Sequence, residues 1–435
     1  CGIYMEHITL TPIDSISGEI NLPGSKSLTN RALLLAALAE GETRITNPLA
    51  SDDTARMIEA LQQLGVSTIP NNQRIDVVGN GGLFATPANT AFFLGNAGTA
   101  IRPLTAILSL IPGQFQIDGD QYMRERPIAH LCDALMHLGT DIKYIGKDGY
   151  PPLSVTGGQI SGGDVNIAGN ISSQYLTALL LALPLAKNDS IINVIGEQVS
   201  KPYLDITMNI MNQFGVTVGN HDYQRLSVPG AQHYVSPGDY LVEGDASSAS
   251  YFFAAAAISG SITVHGLGKD SVQGDIQFLD TIEAMGAKVS RNSQSVSVTR
   301  GELNGIDVDL NHIPDAAMTV AVMALFAKGT TRIRNVYNWR VKETNRMYAI
   351  ETELRKLGAT VLTTEDSITI TPPASLQSTA IDTYGDHRIA MGFSLAALGD
   401  QSITINDPDC TKKTFPDYFD VFASVCHFAD SSPSK

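Results

Sequence analysis

Apolar residues occur in long unbroken blocks at several places along the chain. Blocks such as residues 32–39 (ALLLAALA) and 251–257 (YFFAAAA) are apolar around the whole circumference of a helix, which is typical of helices buried on every side. Alternating segments between the blocks, such as residues 75–77 and 295–298, predict strands with one buried face. The pattern therefore predicts a mixed α/β protein with interior helices.

The apolar helical blocks recur with a period of roughly 70 residues. They begin near Ser27, Thr99, Ser173, Ser247, Asp315 and Asp386. A second landmark has the same period: a helical stretch that ends in a glycine suited to the left-handed position after a helix, at Gly65, Gly139, Gly215, Gly286 and Gly358. Two independent landmarks with one period predict six units, each with two helices and several strands.

Composition and charge limit the classes of function. The chain has 435 residues, of which 43% are hydrophobic and 17% charged, with a formal net charge of -15. This length and composition favour two or three domains with a large core. The acidic balance argues against a nucleic-acid partner and against an anionic membrane surface. The longest apolar run, residues 177–186, is too short to span a membrane.

The cysteines and the start of the chain bear on the compartment. Cys132, Cys410 and Cys426 are widely spaced and fit neither a zinc site nor a disulfide framework. No His, Cys and Asp cluster has metal-ligand spacing, so we expect no metal site. No signal or transit peptide is expected, and residues 1–4, which precede Met5, are interpreted as a cloning remnant. We therefore expect a protein of the reducing cytoplasm.

The six apolar helices all begin with residue types that cap helices, namely Ser, Thr or Asp. Helix starts carry unpaired N–H groups and partial positive charge, so several starts that point to one place form an anion site. Capping alone would explain any single start. Cations beside several of the starts, such as Lys26, Arg31, Arg102 and Arg388, favour the anion site instead and predict a locally positive site in an acidic protein.

The second helix of each unit also begins at residues of functional type. Pro127 and Pro202 are expected in the first turn of a helix, where proline costs least. Lys342 and Arg346 are expected on one helical face because they are four residues apart.

Two carboxylates carry candidate chemistry. Asp315 starts an apolar helix, where a plain N-cap is the alternative, and Glu343 lies between cations. Nearby cations keep a carboxylate ionised, whereas bound anions raise its pKa toward the range of general acid–base catalysis.

Five segments together resemble one family over about residues 8–426. They are residues 22–31 (LPGSKSLTNR), 94–104 (LGNAGTAIRPL), 340–346 (RVKETNR), 384–391 (YGDHRIAM) and 409–418 (DCTKKTFPDY). The resemblance is to the EPSP synthase (3-phosphoshikimate 1-carboxyvinyltransferase) family. It implies two domains of the inside-out α/β barrel type, each with three βαβαββ repeats around interior helices, and an active site in the cleft between them. The expected domains are 24–242 and 5–23 with 243–430, so that the chain crosses twice.

The resemblance also implies the reaction and its residues. The enolpyruvyl group of phosphoenolpyruvate would pass to the 5-hydroxyl of shikimate 3-phosphate by addition and elimination, without metal or organic cofactor. The implied catalytic residues are Asp315, Glu343 and Lys26. The residues implied for shikimate 3-phosphate are Lys26, Ser27, Arg31, Ser172, Ser173, Gln174, Ser200, Tyr203, Asp315, Asn338 and Lys342. Those implied for phosphoenolpyruvate are Lys26, Gly98, Arg126, Gln174, Glu343, Arg346, His387, Arg388 and Lys413.

Further expectations and alternatives follow from the same resemblance. Gly98 and Pro103 resemble the glyphosate-sensitive class of the family, so glyphosate is expected to inhibit, and a monomer is expected. A sibling transferase that acts on UDP-N-acetylglucosamine is the nearest alternative, but it usually has a cysteine in a loop where residues 111–125 have none. A non-catalytic phosphate-ligand-binding protein would need the cations but not Asp315 and Glu343. An RNA-end-processing enzyme fits poorly with the net charge.

Overall fold

The computed structural model describes residues 5–71, 73–85 and 90–428. The predicted remnant 1–4 and the last two residues of the predicted second domain, 429–430, lie outside the described residues. Twelve α-helices are present in the described residues: α1 Lys26–Leu38, α2 Asp52–Gln63, α3 Gly98–Leu110, α4 Ala129–His137, α5 Ser173–Ala182, α6 Lys201–Gln213, α7 Ala246–Ser259, α8 Phe278–Met285, α9 Pro314–Met323, α10 Arg346–Lys356, α11 His387–Ser394 and α12 Tyr418–Val425.

The strands are short, and most have four to six residues. In the described part of the chain they are β1 His7–Leu10, β2 Ser15–Asn21, β3 Glu42–Thr46, β4 Ser67–Asn71, β5 Arg74–Val78, β6 Thr90–Phe93, β7 Gly113–Asp118, β8 Asp141–Tyr144, β9 Leu153–Gly157, β10 Gly163–Ala168, β11 Ser190–Ile195, β12 Gly219–His221, β13 Arg225–Val228, β14 Asp239–Leu241, β15 Gly260–His265, β16 Lys288–Arg291, β17 Ser295–Thr299, β18 Asp307–Asp309, β19 Thr331–Arg334, β20 Thr360–Thr363, β21 Ile368–Thr371, β22 Thr379–Ile381, β23 Ile403–Asn406 and β24 Cys426–His427.

The chain divides into two compact units. The central unit is Gly24–Glu243, and the terminal unit combines the chain up to Pro23 with the chain from Gly244 onward. The boundaries fall at Pro23/Gly24 and at Glu243/Gly244, so the second lies one residue after the boundary expected from the sequence. The first sheet of the central unit takes its outer strand from the other end of that unit, because β14 pairs in parallel with β3. The central unit is therefore one continuous segment, and the terminal unit is formed by the chain on either side of it.

Six sheets repeat one strand pattern. In the sheet β6-β7-β9-β8, β6 and β7 are parallel, and β9 runs antiparallel to both β7 and β8. The sheets β10-β11-β13-β12, β14-β3-β5-β4 and β18-β19-β21-β20 have the same order. The sheet β16-β17-β15-β2-β24 has this pattern with one extra strand, and β1-β23-β22 is a shorter version. Each repeat is thus a βαβαββ unit, as predicted.

One helix of each repeat is interior and the other is peripheral. All but one of the residues of α1 and of α7 are buried, whereas α2 buries only residues 53, 54, 57, 60 and 61. The interior helices α1, α3, α5, α7, α9 and α11 begin within one residue of the predicted starts. The prediction from the apolar blocks is therefore confirmed, because a helix without a polar face must be enclosed.

A residue with a left-handed φ angle also recurs in the repeats, directly after a middle strand of the sheet. Asn47, Asn335 and Asp407, each directly after a middle strand of its sheet, have left-handed φ angles of 54°, 60° and 46°. Gly196 and Gly266 occupy the matching positions with φ of 80° and 91°. Asn and Asp tolerate this conformation better than other residues with a side chain, because their short polar side chains bond locally.

The expected residue types cap four of the six interior helices, although at α1, α5 and α7 the capping residue lies one or two positions before the predicted start. The expectation was wrong for α3 and α9. Ser25, Ser172, Asp245 and Asp386 cap α1, α5, α7 and α11 by accepting a backbone N–H. At α3 and α9 the N-cap residues are Ala97 and Ile313, which make no side-chain cap bond. The side chains expected there are used elsewhere: the Thr99 hydroxyl accepts from Asn30, and the Asp315 carboxylate binds cations.

The described residues contain neither a membrane helix nor a metal cluster. Among residues 5–71, 73–85 and 90–428, no helix is both long enough and apolar enough to cross a bilayer. In the same residues no three His, Cys, Asp or Glu side chains are grouped so as to hold a metal ion.

Gly260 tests how tightly the terminal unit packs its sheet on α7. It joins α7 to β15 with φ of 146°, and a Cβ added there would lie 1.9 Å from the Ile16 carbonyl oxygen of β2. We expect Gly260→Ala to lower the free energy of unfolding by at least about 2 kcal/mol more than Gly65→Ala. Gly65 is the matched control, because its φ is also positive, at 83°, but nothing lies within 4 Å of an added Cβ. Urea unfolding measures both, and equal losses would contradict this packing.

Candidate active site

The starts of the interior helices of the central unit lie side by side. The Asn30 amide of α1 donates to the Thr99 hydroxyl of α3 at 2.7 Å. The Thr177 hydroxyl of α5 lies 3.2 Å from that of Thr207 of α6, which also accepts from Arg31 of α1 at 3.0 Å. All five residues lie in the first two turns of their helices. The N-terminal ends of these helices therefore converge, as an anion site formed by helix starts requires.

Lys26 and Arg31 are buried cations near the start of α1. The Lys26 ammonium lies 3.2 Å from a carboxylate oxygen of Asp53, and both side chains are at most one-tenth exposed. The Arg31 guanidinium also donates to the Ser27 carbonyl at 3.0 Å, and burial lowers the pKa of Arg31 to about 10. The structure thus holds both cations in place on α1.

Two further guanidinium groups meet at Gly98, the first residue of α3. Arg102 Nη1 donates to the Gly98 carbonyl at 3.4 Å, and Arg126 Nη1 donates to the carbonyl and the side-chain oxygen of Asn96 at 3.1 and 2.8 Å. A Cβ at Gly98 would lie 2.6 Å from a nitrogen of each arginine. Only glycine therefore leaves both guanidinium groups where they are.

Pro127 lies beside these arginines but not in a helix. The expectation that it occupies a first helical turn was wrong, because α4 begins at Ala129 with Ile128 as N-cap. The Pro127 carbonyl instead accepts from Arg102 at 3.2 Å and from the Tyr175 hydroxyl at 2.8 Å. Pro202, by contrast, does lie in the first turn of α6, as predicted.

The predicted hydroxyl and amide groups lie at the starts of α5 and α6. Ser172 caps α5 and accepts from the Gln174 N–H at 3.3 Å, and Ser173 is the first helical residue. Ser200 precedes α6 with a left-handed φ of 55° and makes no side-chain cap bond. The Tyr203 N–H donates to the Ser200 carbonyl at 3.1 Å. Ser200 is thus one of the residues with a side chain that the fold holds in the left-handed conformation.

In the terminal unit one guanidinium gathers three carboxylates. Arg346, the first residue of α10, donates to Asp386 at 2.7 Å, to Asp315 at 2.8 Å and to Glu343 at 2.8 Å. Arg346 is 1% exposed and Asp386 is not exposed at all. We name this set with Lys342 and Arg388 the Arg346 cluster.

Three cations of the Arg346 cluster surround the Asp315 carboxylate. It lies 2.8 Å from Arg346, 3.0 Å from Arg388 and 3.8 Å from Lys342. Burial alone raises the pKa of Asp315, but these three cations outweigh burial and hold it well below its ordinary value. The Asp315 carboxylate is therefore ionised, and its pKa depends on how firmly the cations stay with it.

Lys342 reaches this cluster in a way the spacing did not predict. It directly follows the 3₁₀ turn Tyr337–Val341, and α10 begins only at Arg346, so the two cations do not share a helical face. They meet instead at one acceptor, Asp315. Burial lowers the pKa of Lys342.

Asp386 and its two neighbours begin α11. Asp386 caps the helix by accepting from the Arg388 N–H at 3.0 Å, and His387 Nδ1 lies 3.5 Å from the same carboxylate oxygen. The His387 side chain is fully buried. Asp386 thus uses its carboxylate for both the helix start and Arg346.

Two predicted residues, Asn338 and Lys413, lie in 3₁₀ turns of the terminal unit. Asn338 is buried in the turn Tyr337–Val341, whose Trp339 donates to the Pro314 carbonyl at the start of α9. Lys413 ends the 3₁₀ turn Pro408–Lys413, which packs against α11. Arg340, a third cation of this region, donates to the carbonyls of Glu365 and Thr364 and supports a turn.

The charges of the two sets differ. In the central unit Asp53 pairs with Lys26, whereas Arg31, Arg102 and Arg126 donate to uncharged oxygens. In the Arg346 cluster three cations balance three carboxylates. The expectation of a locally positive site therefore fits the central residues but not the Arg346 cluster, in which positive and negative groups are equal in number.

Several residues of these sites had no individual signal in the sequence. Asp53, Asn96 and Glu353 are examples, and Asp53 resembles any acidic residue in the first turn of a helix. Glu353 is buried on α10 and accepts from the Tyr384 hydroxyl at 2.7 Å and the Asp382 N–H at 3.2 Å, so that it holds the segment before Asp386. Asp386, by contrast, lies in the segment 384–391 (YGDHRIAM) that carries the family resemblance.

Comparisons with known proteins agree with this architecture. A model of the EPSP synthase (3-phosphoshikimate 1-carboxyvinyltransferase) family matches residues 10–422. Proteins named 3-phosphoshikimate 1-carboxyvinyltransferase from Vibrio cholerae serotype O1 (strain M66-2) and Sulfurovum sp. (strain NBC37-1) are 59% and 58% identical, over 97% and 98% of this chain and 100% of their own length.

Solved structures show the same fold. EPSP synthase from Acinetobacter baumannii matches with a TM-score of 0.81 and 26% identity over 97% of this chain and 98% of that one. The enolpyruvyl transferase NikO from Streptomyces tendae matches with a TM-score of 0.78 over 97% and 98% of the two chains, and at 16% identity it shows the fold alone.

The Arg346 cluster predicts a large stability effect. We expect Arg346→Met to lower the free energy of unfolding by about 3–5 kcal/mol, because three buried carboxylates lose their shared cation. Arg291→Met is the matched control: Arg291 also bridges two carboxylates, Asp280 and Glu283, but at partly exposed positions, so a loss of about 0–1 kcal/mol is expected. Urea unfolding at neutral pH measures both, and comparable losses would argue against the cluster as described.

Proposed function

The chain belongs to the EPSP synthase family, and we propose that the Arg346 cluster carries the proton transfers of its reaction while the helix starts of the central unit bind its anionic groups. The enzyme transfers the enolpyruvyl group of phosphoenolpyruvate to shikimate 3-phosphate, in the shikimate pathway of aromatic amino acid biosynthesis. The observation that carries the proposal is the Asp315 carboxylate, held ionised by three cations next to a second carboxylate, Glu343.

The proposed assignment of residues follows the family resemblance. Shikimate 3-phosphate is bound by Lys26, Ser27, Arg31, Ser172, Ser173, Gln174, Ser200, Tyr203, Asp315, Asn338 and Lys342. Phosphoenolpyruvate is bound by Lys26, Gly98, Arg126, Gln174, Glu343, Arg346, His387, Arg388 and Lys413. Both substrates are anions, and helix starts with buried cations are the physical match for them.

Asp315 is proposed as the base that accepts the proton of the 5-hydroxyl. In the free protein its pKa is low because Arg388, Lys342 and Arg346 hold its negative charge. Anionic substrates compete for the same cations, and the pKa of Asp315 rises when that happens. Substrate binding thereby turns a tightly paired carboxylate into one that can take a proton.

Glu343, together with Lys26, is proposed to protonate the methylene carbon of phosphoenolpyruvate. The hydroxyl oxygen then forms a bond to the neighbouring carbon and gives a tetrahedral intermediate. Loss of phosphate, and of a proton from the methyl group, then re-forms the carbon–carbon double bond, now as a vinyl ether of the 5-hydroxyl oxygen. The Arg346 cluster suits a reaction in which one acid accepts a proton and another donates one. Asp315 and Glu343 share one guanidinium, so the charge of one affects the other.

The sibling reaction on UDP-N-acetylglucosamine is not favoured. The curated relatives above carry the shikimate name over their full length, and residues 111–125 lack the cysteine typical of the sibling. We also propose a cytoplasmic monomer. The free thiols of Cys132, Cys410 and Cys426 are compatible with a reducing compartment.

Phosphate release from a mixture of the two substrates tests the proton-transfer roles. We expect Asp315→Asn and Glu343→Gln each to lower kcat by about 10²–10⁴-fold, because each removes one proton transfer. Glu365→Gln, an exposed carboxylate of the same unit, is the control and should keep wild-type turnover. Full turnover of either site variant with unchanged substrate binding would refute the assigned role.

Gly98 predicts how the enzyme responds to glyphosate. We propose that glyphosate inhibits in competition with phosphoenolpyruvate. Gly98→Ala should weaken this inhibition by about tenfold or more, because the new methyl group would displace Arg102 and Arg126. The inhibition constant against varied phosphoenolpyruvate measures this. Gly146→Ala is a control in the same unit, since its φ is not left-handed and an added Cβ would meet only Pro152 Cδ, at 3.6 Å; unaltered inhibition of the Gly98 variant would sink the assignment.

A further inference from the structure

A further buried carboxyl group, that of Asp275, lies near the Arg346 cluster but does not belong to it and has no part in the reaction as described so far. Asp275 belongs to the 3₁₀ turn Gly274–Gln277 and is 5% exposed. The Ser247 hydroxyl, in the first turn of α7, donates a close hydrogen bond to it. The adjacent Gln273 accepts from the Ala246 N–H at 3.1 Å and donates to the Gly244 carbonyl at 2.7 Å. The turn is therefore fastened to the start of α7.

From Ser247 a series of contacts leads to the Arg346 cluster. Tyr251 lies four residues after Ser247, so both side chains lie on the same face of α7. The Tyr251 hydroxyl accepts from Arg388 Nη1 at 3.3 Å, and Arg388 Nη2 lies 3.0 Å from the Asp315 carboxylate. Tyr251 is fully buried, so this geometry is set by packing. Asp275 is thus linked to the proposed base by two hydrogen bonds, one turn of helix and one ion pair.

A parallel contact fixes α7 against the helix that carries Asp315. The Ser250 and Thr319 hydroxyls lie 2.7 Å apart in the apolar interior, and Thr319 lies four residues after Asp315 on α9. A shift of the first turn of α7 would therefore move both Arg388, through Tyr251, and α9, through Ser250. The start of α7 is a rigid reference for the Arg388–Asp315 pair.

Charges surround Asp275 from several elements. Asp245, the N-cap of α7, Asp315 of α9 and Arg388 of α11 all act on it, while Asp280 and Glu283 of α8 bind Arg291 instead. Burial, with the negative charge of Asp315 and Asp245, raises the pKa of Asp275 to about 7, against the Ser247 hydrogen bond and Arg388, which lower it. Around neutral pH, Asp275 thus adds or removes one negative charge beside Arg388 and Asp315.

We infer that Asp275 is a positioning residue of the reaction, which through Ser247 and Tyr251 places Arg388 opposite Asp315 and whose charge controls how strongly Arg388 serves the anionic substrate. When Asp275 carries a proton, it adds no charge beside Arg388, whose guanidinium then serves Asp315 and phosphoenolpyruvate. When Asp275 is ionised, its charge opposes the binding of another anion at Arg388. The inference rests on the proposed role of Arg388 in binding phosphoenolpyruvate.

The pH dependence of Asp275→Asn tests this inference. The side chain of asparagine has the shape of the protonated acid and cannot ionise. We expect the ratio of variant to wild-type kcat/KM for phosphoenolpyruvate to rise by about threefold or more between about pH 6 and pH 8.5, because only the wild type gains a negative charge. The ionisation of phosphoenolpyruvate itself cancels in the ratio. A variant that only disturbs packing would show a ratio that is the same at every pH, and a flat ratio would overturn the inference.

Two further variants keep the test decisive if Asp275→Asn folds poorly. Ser247→Ala removes the donor that stabilises the Asp275 anion, so the decline in kcat/KM should move to higher pH. Tyr251→Phe removes the contact to Arg388 and should raise the KM for phosphoenolpyruvate several-fold with a smaller change in kcat. An unshifted pH profile of the first and an unchanged KM of the second would each count against the link. Asp270→Asn, an exposed carboxylate of the same loop, is the control and should give a ratio independent of pH.

The outcome for Asp315→Asn separates the two levels of inference. If that variant is inactive and the Asp275→Asn ratio is flat, the proposed function stands and the positioning role fails. If Asp315→Asn is fully active, the proposed proton transfers fail, whatever the Asp275 variants do.

Discussion

The buried guanidinium of Arg346 is the interaction on which the chemistry of the terminal unit depends. Its nitrogens reach carboxylates from three separate places: Asp315 on α9, Glu343 before α10 and Asp386 at the start of α11. A buried carboxylate without a cation is costly, and a planar guanidinium can serve several at once. Arg346 therefore allows three acids to lie close together at or before helix starts, and two of them, Asp315 and Glu343, are the groups proposed for proton transfer.

This arrangement also sets the ionisation of the site. The cations around Asp315 hold its pKa low, and the balance of three positive and three negative groups leaves no surplus charge in the cluster. An anionic substrate must then share cations that are already paired, and this sharing changes the pKa of the acids. In the central unit the cations outnumber the carboxylate Asp53, so that set attracts anions directly, helped by the partial charges of converging helix starts.

Polar contacts in an apolar interior give these helices their register. The Asn30–Thr99 bond joins the second turn of α1 to the first turn of α3, and the Ser250–Thr319 bond joins the second turns of α7 and α9. Apolar faces such as those of α1 and α7 slide easily past one another, whereas a buried hydrogen bond is lost if they do. These bonds hold the helix starts level, and the functional side chains stand at those starts.

The amino-acid sequence by itself determined the repeat, the interior helices and the residue types at their starts. Uniformly apolar blocks such as residues 251–257 can only be enclosed, and a glycine such as Gly65 ends the helix before it by its left-handed conformation, because both effects are local. Local pattern failed for Thr99 and Asp315, expected as caps, and for Lys342 and Arg346, expected on one helical face. Tertiary structure decided these cases, because the Thr99 hydroxyl pairs with Asn30 of another helix and Asp315 pairs with cations from distant segments. Lys342 lies before α10, which begins only at Arg346. Asp275, Asp53 and Glu353 became visible only when segments distant in sequence came together, since burial and neighbouring charge are properties of the fold.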